Sequence, residues 1–323
     1  MSFSHILGQA TALQTLERAL QSGRVHHAYR FEGPEGVGKE KTAFALARAL
    51  VCTGGDPLGC ERCRACQRAL TLAEGEPRVP VHPDVVLLER GLYPSSVIGA
   101  PEATGISVEQ VRRIVLGRAG FPPHEGRALV FIIRAAEELT PQAANALLKT
   151  LEEPAARVHF VLLTSRPNRL LDTIRSRTLA VRFGALSEEI LRSIAEAHGL
   201  DPSVAVLAEG SAARALELGD PDSLQQKQEF TEAARSAITA PDLASGLGLA
   251  DTRGTDRDGL RAQLNHLAHS LATESRGLVA ERADRAELLA RRHQVVLTAL
   301  TELERNVQPS FVVESMLYRL RHA

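Results

Sequence analysis

Three groups of residues in this chain have types and spacings suited to chemistry. The first is Gly33-Pro34-Glu35-Gly36-Val37-Gly38-Lys39, followed by Glu40. Glycines so spaced let backbone N–H groups wrap a polyphosphate, the lysine reaches the β- and γ-phosphates, and a Ser or Thr next in line carries Mg²⁺. The cradle of Gly33, Gly36 and Gly38 and the reach of Lys39 are present, but a carboxylate stands in the hydroxyl's place, where it would face an anionic ligand. Thr42, two residues on, projects from another face of a helix. A metal-anchoring acid is also expected after a later strand, yet Ile133 is followed by Arg134 and Ala135. An arginine there repels a cation instead of holding it. These two losses at one metal position put ATP binding by this chain in question.

The second group is Cys52, Cys60, Cys63 and Cys66, which are all the cysteines of the chain. Four crowded thiolates suit a closed tetrahedral Zn²⁺ site, which is structural because no coordination position is left open. Isolated core cysteines rarely crowd in this way, a redox pair would leave two spare, and a ferredoxin-type run needs a following Cys-Pro that is absent. The third group is Arg166, Arg169, Arg175, Arg177 and Arg182. By spacing alone most of these read as a solvated charge cluster. His26, His27 and His82 lack ligand spacing and are expected in turns or at the surface.

The elements that must position these groups can be read from periodicity. Short apolar runs at 28–32, 85–89, 129–133, 160–164 and 179–183 predict strands, and runs such as Leu129-Val130-Phe131-Ile132-Ile133 predict a parallel sheet with helices on both faces. The glycine loop then lies between a strand and a helix over Thr42 to Leu50, the context a phosphate loop requires. Gly91 to Gly105 reads as a loop, and Ser107 as an N-cap for Val108 to Leu116. Thr140 and Pro141 open a helix that Pro154 stops. Beyond Phe183 the pattern turns helical throughout. A small helical segment is expected from Ser187 to Leu218, a turn at Gly219-Asp220-Pro221, and long helices afterwards, punctuated at Gly246, Gly254 and Pro309.

Composition narrows the function classes. With 38 Lys plus Arg against 39 Asp plus Glu in 323 residues, there is no basic footprint for strong solitary binding to nucleic acid. Neither a run of 18 apolar residues nor a signal-peptide pattern is present, so a cytoplasmic protein with no membrane association is expected. Clustered thiols fit a reducing compartment.

Taken in order, these motifs resemble one family, the delta-prime subunits of bacterial DNA polymerase III clamp loaders, members of the AAA+ class. The resemblance runs from Ile6-Leu7-Gly8-Gln9 through the altered glycine loop, the four cysteines and His82-Pro83-Asp84. It continues through Ala143-Ala144-Asn145-Ala146-Leu147-Leu148-Lys149-Thr150-Leu151-Glu152-Glu153-Pro154 and ends strongly at Thr173-Ile174-Arg175-Ser176-Arg177. It implies an AAA+ P-loop domain over 1–184 with a zinc module at 52–66, a small helical lid over 185–219, and an all-α collar domain over 220–323. It also implies a non-hydrolysing subunit, without ATPase activity of its own, of a hetero-oligomeric DNA polymerase holoenzyme. Its partners would be tau/gamma and delta subunits, with the sliding clamp and primer-template DNA met through the assembly. The rival is a tau/gamma-like ATPase with an atypical magnesium site. In that paralogue the loop ends Lys-Thr and the acid strand ends Asp-Glu, unlike Glu40, Arg134 and Ala135 here.

The family's Ser-Arg-Cys motif matches Ser176-Arg177, with Thr178 in place of Cys. This implies that Arg177 is an arginine finger reaching ATP held by a neighbouring subunit. Thr164 falls at the first sensor position, and Gly8 and Gln9 fall near an adenine pocket. Arg214 lies one position away from the second sensor arginine, so no phosphate contact is assigned to it. Lys149 reads as part of a solvated helix face. Glu304 to Pro309 and Phe311 to Leu320 resemble the family's final helices.

Overall fold

Five segments rich in β-branched and aromatic residues pair into one all-parallel sheet in the computed structural model: β1 (Ala28–Glu32), β2 (Val85–Leu88), β3 (Leu129–Ile133), β4 (Val158–Thr164) and β5 (Leu179–Arg182). The spatial order is β2-β3-β4-β1-β5. Residues 3–100, 104–219, 221–239, 257–278, 282–304 and 307–323 are described. The expected breaks at Gly246 and Gly254 lie outside them, as do Asp220 and the Arg305-Asn306 pair.

Alternation along each strand divides the core in two. Tyr29, Phe31, Val130, Ile132, Val161 and Leu163 face helices Ala10–Gln21 and Lys39–Val51. Ala28, Phe131, Ile133, Phe160 and Leu162 face helix Pro141–Glu152 and the helical stretch that starts at Val108. Both faces are covered, as strands apolar on both sides require. β5 is an edge strand on which only Val181 is buried.

Capping fixes the helix starts. Thr140 accepts a hydrogen bond from the Ala143 N–H, with Pro141 at the first position. Ser107 and Gln110 form a reciprocal capping box. Two expectations are corrected. The helix after the glycine loop begins at Lys39, not Thr42, because the left-handed Gly38 sets its start. Part of Gly91 to Gly105 is not loop but a single helical turn, Ser95–Ile98, closed by left-handed Gly99. The Ser107-capped helix also widens into a π-type segment over Val111–Leu116.

The chain divides into two compact units, Met1–Leu216 and Glu217–Ala323. The first ends in short helices, Glu188–Ala197 and Val204–Leu207, and the start of Ala212–Gly219. The second is built on helices Pro221–Thr239, Arg257–Leu278, Ala283–Glu304 and Pro309–Arg321, whose buried side chains include Phe230, Leu264, Leu267, Val296, Val312 and Met316. On the last helix Phe311 and Tyr318, seven residues apart and hence on one face, stay 61% and 57% exposed. Its apolar surface thus exceeds what the bundle covers. Among the described residues no helix is long and apolar enough to cross a membrane.

Candidate functional site

β1 delivers the glycine loop to the carboxyl edge of the sheet, between β4 and β5, where the strand order reverses. Open α/β sheets bind ligands at such a point. Gly36 is left-handed (φ +72°), and a Cβ there would come within 2.1 Å of Ser211 Oγ. The Gly36 carbonyl accepts the Ala212 N–H at 2.9 Å, so the helix Ala212–Gly219 is tied to the loop through backbone groups. Lys39, 9% exposed, turns inward and donates to the Gly33 and Pro34 carbonyls at 2.6 and 2.5 Å. Burial lowers its pKa, while Glu35 and Glu137 oppose the shift. A cleft of about 980 Å³ opens over this loop, walled by Ile6, Phe44 and Leu186 among others. Gln9 is buried, with its amide spent on the Val37 and Gly184 carbonyls and the Gly184 N–H, so it braces the loop.

The two residues that break the metal site find each other. Arg134 forms an ion pair with Glu40 and a second with Glu89 at 2.7 Å. Burial works against the Arg134 charge, but Glu40 and Glu89 outweigh it and raise its pKa. The expectation that Glu40 would face an anionic ligand is therefore corrected, since its carboxylate faces Arg134 across the cleft. Ala135, next along, is a left-handed non-glycine (φ 42°, ψ 53°), a conformation that costs on the order of 1–3 kcal/mol. It turns the chain so that Glu137 accepts from the Ser165 N–H and hydroxyl at 3.1 and 2.9 Å. Thr164 is buried at the end of β4, where its hydroxyl accepts the Arg166 N–H. Arg214 pairs with Glu209 at 2.6 Å and is not among the cleft's lining residues, and Lys149 is exposed.

Arg177 follows the short helix Asp172–Arg175. Its Nε donates to Glu152 Oε1 at 2.6 Å, and its Nη1 donates to the Thr173 carbonyl and Ser176 Oγ at 3.0 and 3.1 Å. The turn is held from beneath by Arg30 of β1, a residue that the sequence reading missed. Arg30 is 7% exposed and donates to the Arg175 carbonyl at 2.9 Å and to Thr178 Oγ1 at 2.7 Å. Thr178 in turn donates to the Ile174 carbonyl, so the Cys-to-Thr departure supplies a hydroxyl that locks the turn. A charge inside the strand Ala28-Tyr29-Arg30-Phe31-Glu32 was the available signal.

The sulfur atoms of Cys52, Cys60, Cys63 and Cys66 all lie within 4.8 Å of one another. Tetrahedral Zn–S bonds of about 2.3 Å would place sulfurs ~3.8 Å apart, so a small contraction makes the site. The N–H groups of Gly54 and Cys60 point at Cys52 Sγ, that of Cys63 at Cys60 Sγ and that of Cys66 at Cys63 Sγ, at 3.3 to 3.4 Å. Burial opposes ionisation of Cys63, but the Cys66 N–H and hydrogen bonds from Thr53 bring its pKa down to about 5. Burial pushes Cys66 up. A Cβ on Gly54 would sit 2.4 Å from Cys60 Sγ, which explains the glycine. Four cysteines so arranged can hold a metal ion.

His82 lies in a turn, as one branch of the expectation had it, but away from the surface: it is fully buried, its Nδ1 accepts the Asp84 N–H at 3.0 Å, and burial lowers its pKa despite Asp84 and Glu125 nearby. Asp84 accepts the N–H groups of His124, Glu125 and Gly126 at 2.6, 2.8 and 2.7 Å. Burial alone would raise its carboxyl, but these donors outweigh it and hold the group below its ordinary 3.8. This knot fixes the chain entering β3, and with it Arg134.

A five-stranded parallel sheet in this order, with a phosphate loop after β1 and a helical C-terminal part, defines an AAA+-type α/β protein. A family model described as DNA polymerase III, delta subunit, matches residues 8–187, more than half the chain, and the chain belongs to that family, of the clamp-loader delta-prime and gamma/tau type. The delta-prime subunit of Bacillus subtilis is 31% identical over 232 residues, 71% of this chain and 63% of that protein. The gamma/tau subunit of Mycobacterium tuberculosis is 35% identical over 193 residues, 60% of this chain and 30% of the relative. The chain thus spans less than a third of that gamma/tau relative and under two thirds of the delta-prime one. A solved gamma-subunit-related protein of Thermotoga maritima shares the fold, with a TM-score of 0.51 at 18% identity over 96% of this chain and 99% of that one.

Proposed function

We propose that this chain is a non-hydrolysing clamp-loader subunit of a DNA polymerase III holoenzyme. In this reading it helps load the sliding clamp onto primed DNA and lends Arg177 to ATP bound by a neighbour. One observation carries the reading: Arg134 lies between Glu40 and Glu89, so a guanidinium fills the place where a P-loop ATPase holds Mg²⁺. A divalent ion there would have to displace a fixed cation of like sign. Lys39 is likewise committed to the loop's own carbonyls. The tau/gamma-like ATPase reading needs Glu40 free to ligate Mg²⁺, and the carboxylate is already engaged.

The partners are tau/gamma and delta subunits in the cytoplasm, met in part through the exposed Phe311 and Tyr318 of a collar domain. In this reading 1–184 is the AAA+ domain, 185–219 the lid and 220–323 the collar. Cys52, Cys60, Cys63 and Cys66 hold structural Zn²⁺, which ties the segment between two helices and supplies no chemistry. Copurification with the partner subunits, followed by assay of zinc, bound nucleotide and ATP turnover by the isolated chain, tests the reading. One zinc per chain and no turnover are expected. ATP turnover by the isolated chain that Lys39→Ala abolishes would overturn it.

A further inference from the structure

The partner of Arg177 is the last residue of a different helix. Glu152 closes Pro141–Glu152, and two nitrogens of the guanidinium, Nε and Nη2, converge on its Oε1, Nε at 2.6 Å. A carboxylate at a helix C-terminus meets the negative end of the helix dipole, so the helix itself gains nothing from Glu152. The pair is also open: the side chains are 32% exposed for Arg177 and 47% for Glu152. An ion pair this accessible is weak and exchangeable, whereas Arg30 pins the backbone beneath it through buried hydrogen bonds. Fixed backbone, exchangeable head group and a single neutralising carboxylate are the parts of a latch.

We propose that Glu152 is a positioning residue that holds Arg177 folded and charge-neutral, and yields it when the polyphosphate of a neighbouring subunit's nucleotide competes for the guanidinium. This rests on the reading of Arg177 as an arginine donor in trans. The carboxylate opposes nucleotide binding by its charge but aids aim by its position. Glu152→Gln separates the two, because the amide keeps an acceptor oxygen at the same reach and removes the charge. Since the competitor is removed from ground state and transition state alike, KM falls and kcat is kept.

The test is steady-state ATP turnover by the reconstituted complex carrying Glu152→Gln, Arg177→Ala, or both. Glu152→Gln lowers the KM for ATP by roughly two- to fivefold, the range an exposed pair allows, and the shift shrinks as salt rises. In the double variant this gain disappears and the kinetics match those of Arg177→Ala alone. If Glu152→Gln leaves KM unchanged, whether or not it lowers Tm, while Arg177→Ala cuts turnover, the latch is wrong and the arginine donor stands. If Arg177→Ala has no effect on turnover, the donor reading itself fails and the latch falls with it.

Discussion

Arg134 and Arg177 make opposite uses of the same side chain. Arg134 is closed in between Glu40 and Glu89 at the heart of the cleft, 24% exposed, with its charge spent inside the domain. Arg177 is not among the residues lining that cleft; it pairs with one carboxylate, Glu152, that water can reach, on a turn clamped by Arg30. A guanidinium bracketed by two acids is tied to distant parts of the domain; one paired with a single exposed acid and bonded to the Thr173 carbonyl and Ser176 Oγ of its own turn is the one proposed to be lent. On the proposed function, the cleft arginine serves the domain's own structure and Arg177 is the one offered to a neighbour.

That contrast predicts a ranking of effects on stability, largest first. Removing metal from the four cysteines should release the segment 52–66 and lower Tm more than any substitution below, since structural zinc binding in small peptides reaches about 10–16 kcal/mol at neutral pH. Thermal melts with and without a chelator, alongside metal analysis, read this out. Asp84→Ala comes next. It strands three backbone N–H groups and should cost on the order of 3 kcal/mol by urea denaturation. Because the folded Asp84 carboxyl lies below its ordinary 3.8, its contribution is whole above that pH and is lost as pH falls through the folded value. The difference in stability between wild type and Asp84→Ala should therefore narrow on acidification below about pH 4, and a constant difference would refute the assignment.

Arg134→Ala should cost about 1–2 kcal/mol, discounted because both carboxylate partners are more than a third exposed. Smallest is Arg177→Ala, at under about 1 kcal/mol for an exposed pair. Equal losses for the two arginines would break the contrast between the doubly paired Arg134 and the exposed Arg177.

Much of the scaffold was legible in the sequence. All five strands sit within two residues of their expected bounds, because runs such as Leu129 to Ile133 are too apolar for any element with a wet face. Thr140-Pro141 marked its helix start through side-chain and ring chemistry that acts locally. What escaped were relations across the fold. Glu40 and Arg134 read as two separate losses, yet they are one ion pair joining residues 94 apart in sequence. Periodicity fixes which face a residue takes, not which distant side chain it meets. The same limit hid Glu152 beneath Arg177 and the Asp84 knot. His82 shows a further limit: its Nδ1 accepts the backbone N–H two residues on while its Nε2 is buried without a hydrogen-bond partner, 3.6 Å from Glu125, and a turn signal alone does not reveal that burial.

The most direct measurement sets the stability ranking against turnover in the reconstituted complex, with Arg177→Ala and Arg134→Ala assayed side by side at saturating ATP. Arg177→Ala, the milder change for folding, should lower turnover at the neighbouring site by on the order of 10³-fold, while Arg134→Ala leaves it near wild type. Full turnover with Arg177→Ala, or loss of turnover with Arg134→Ala in a complex that still assembles, would contradict the account.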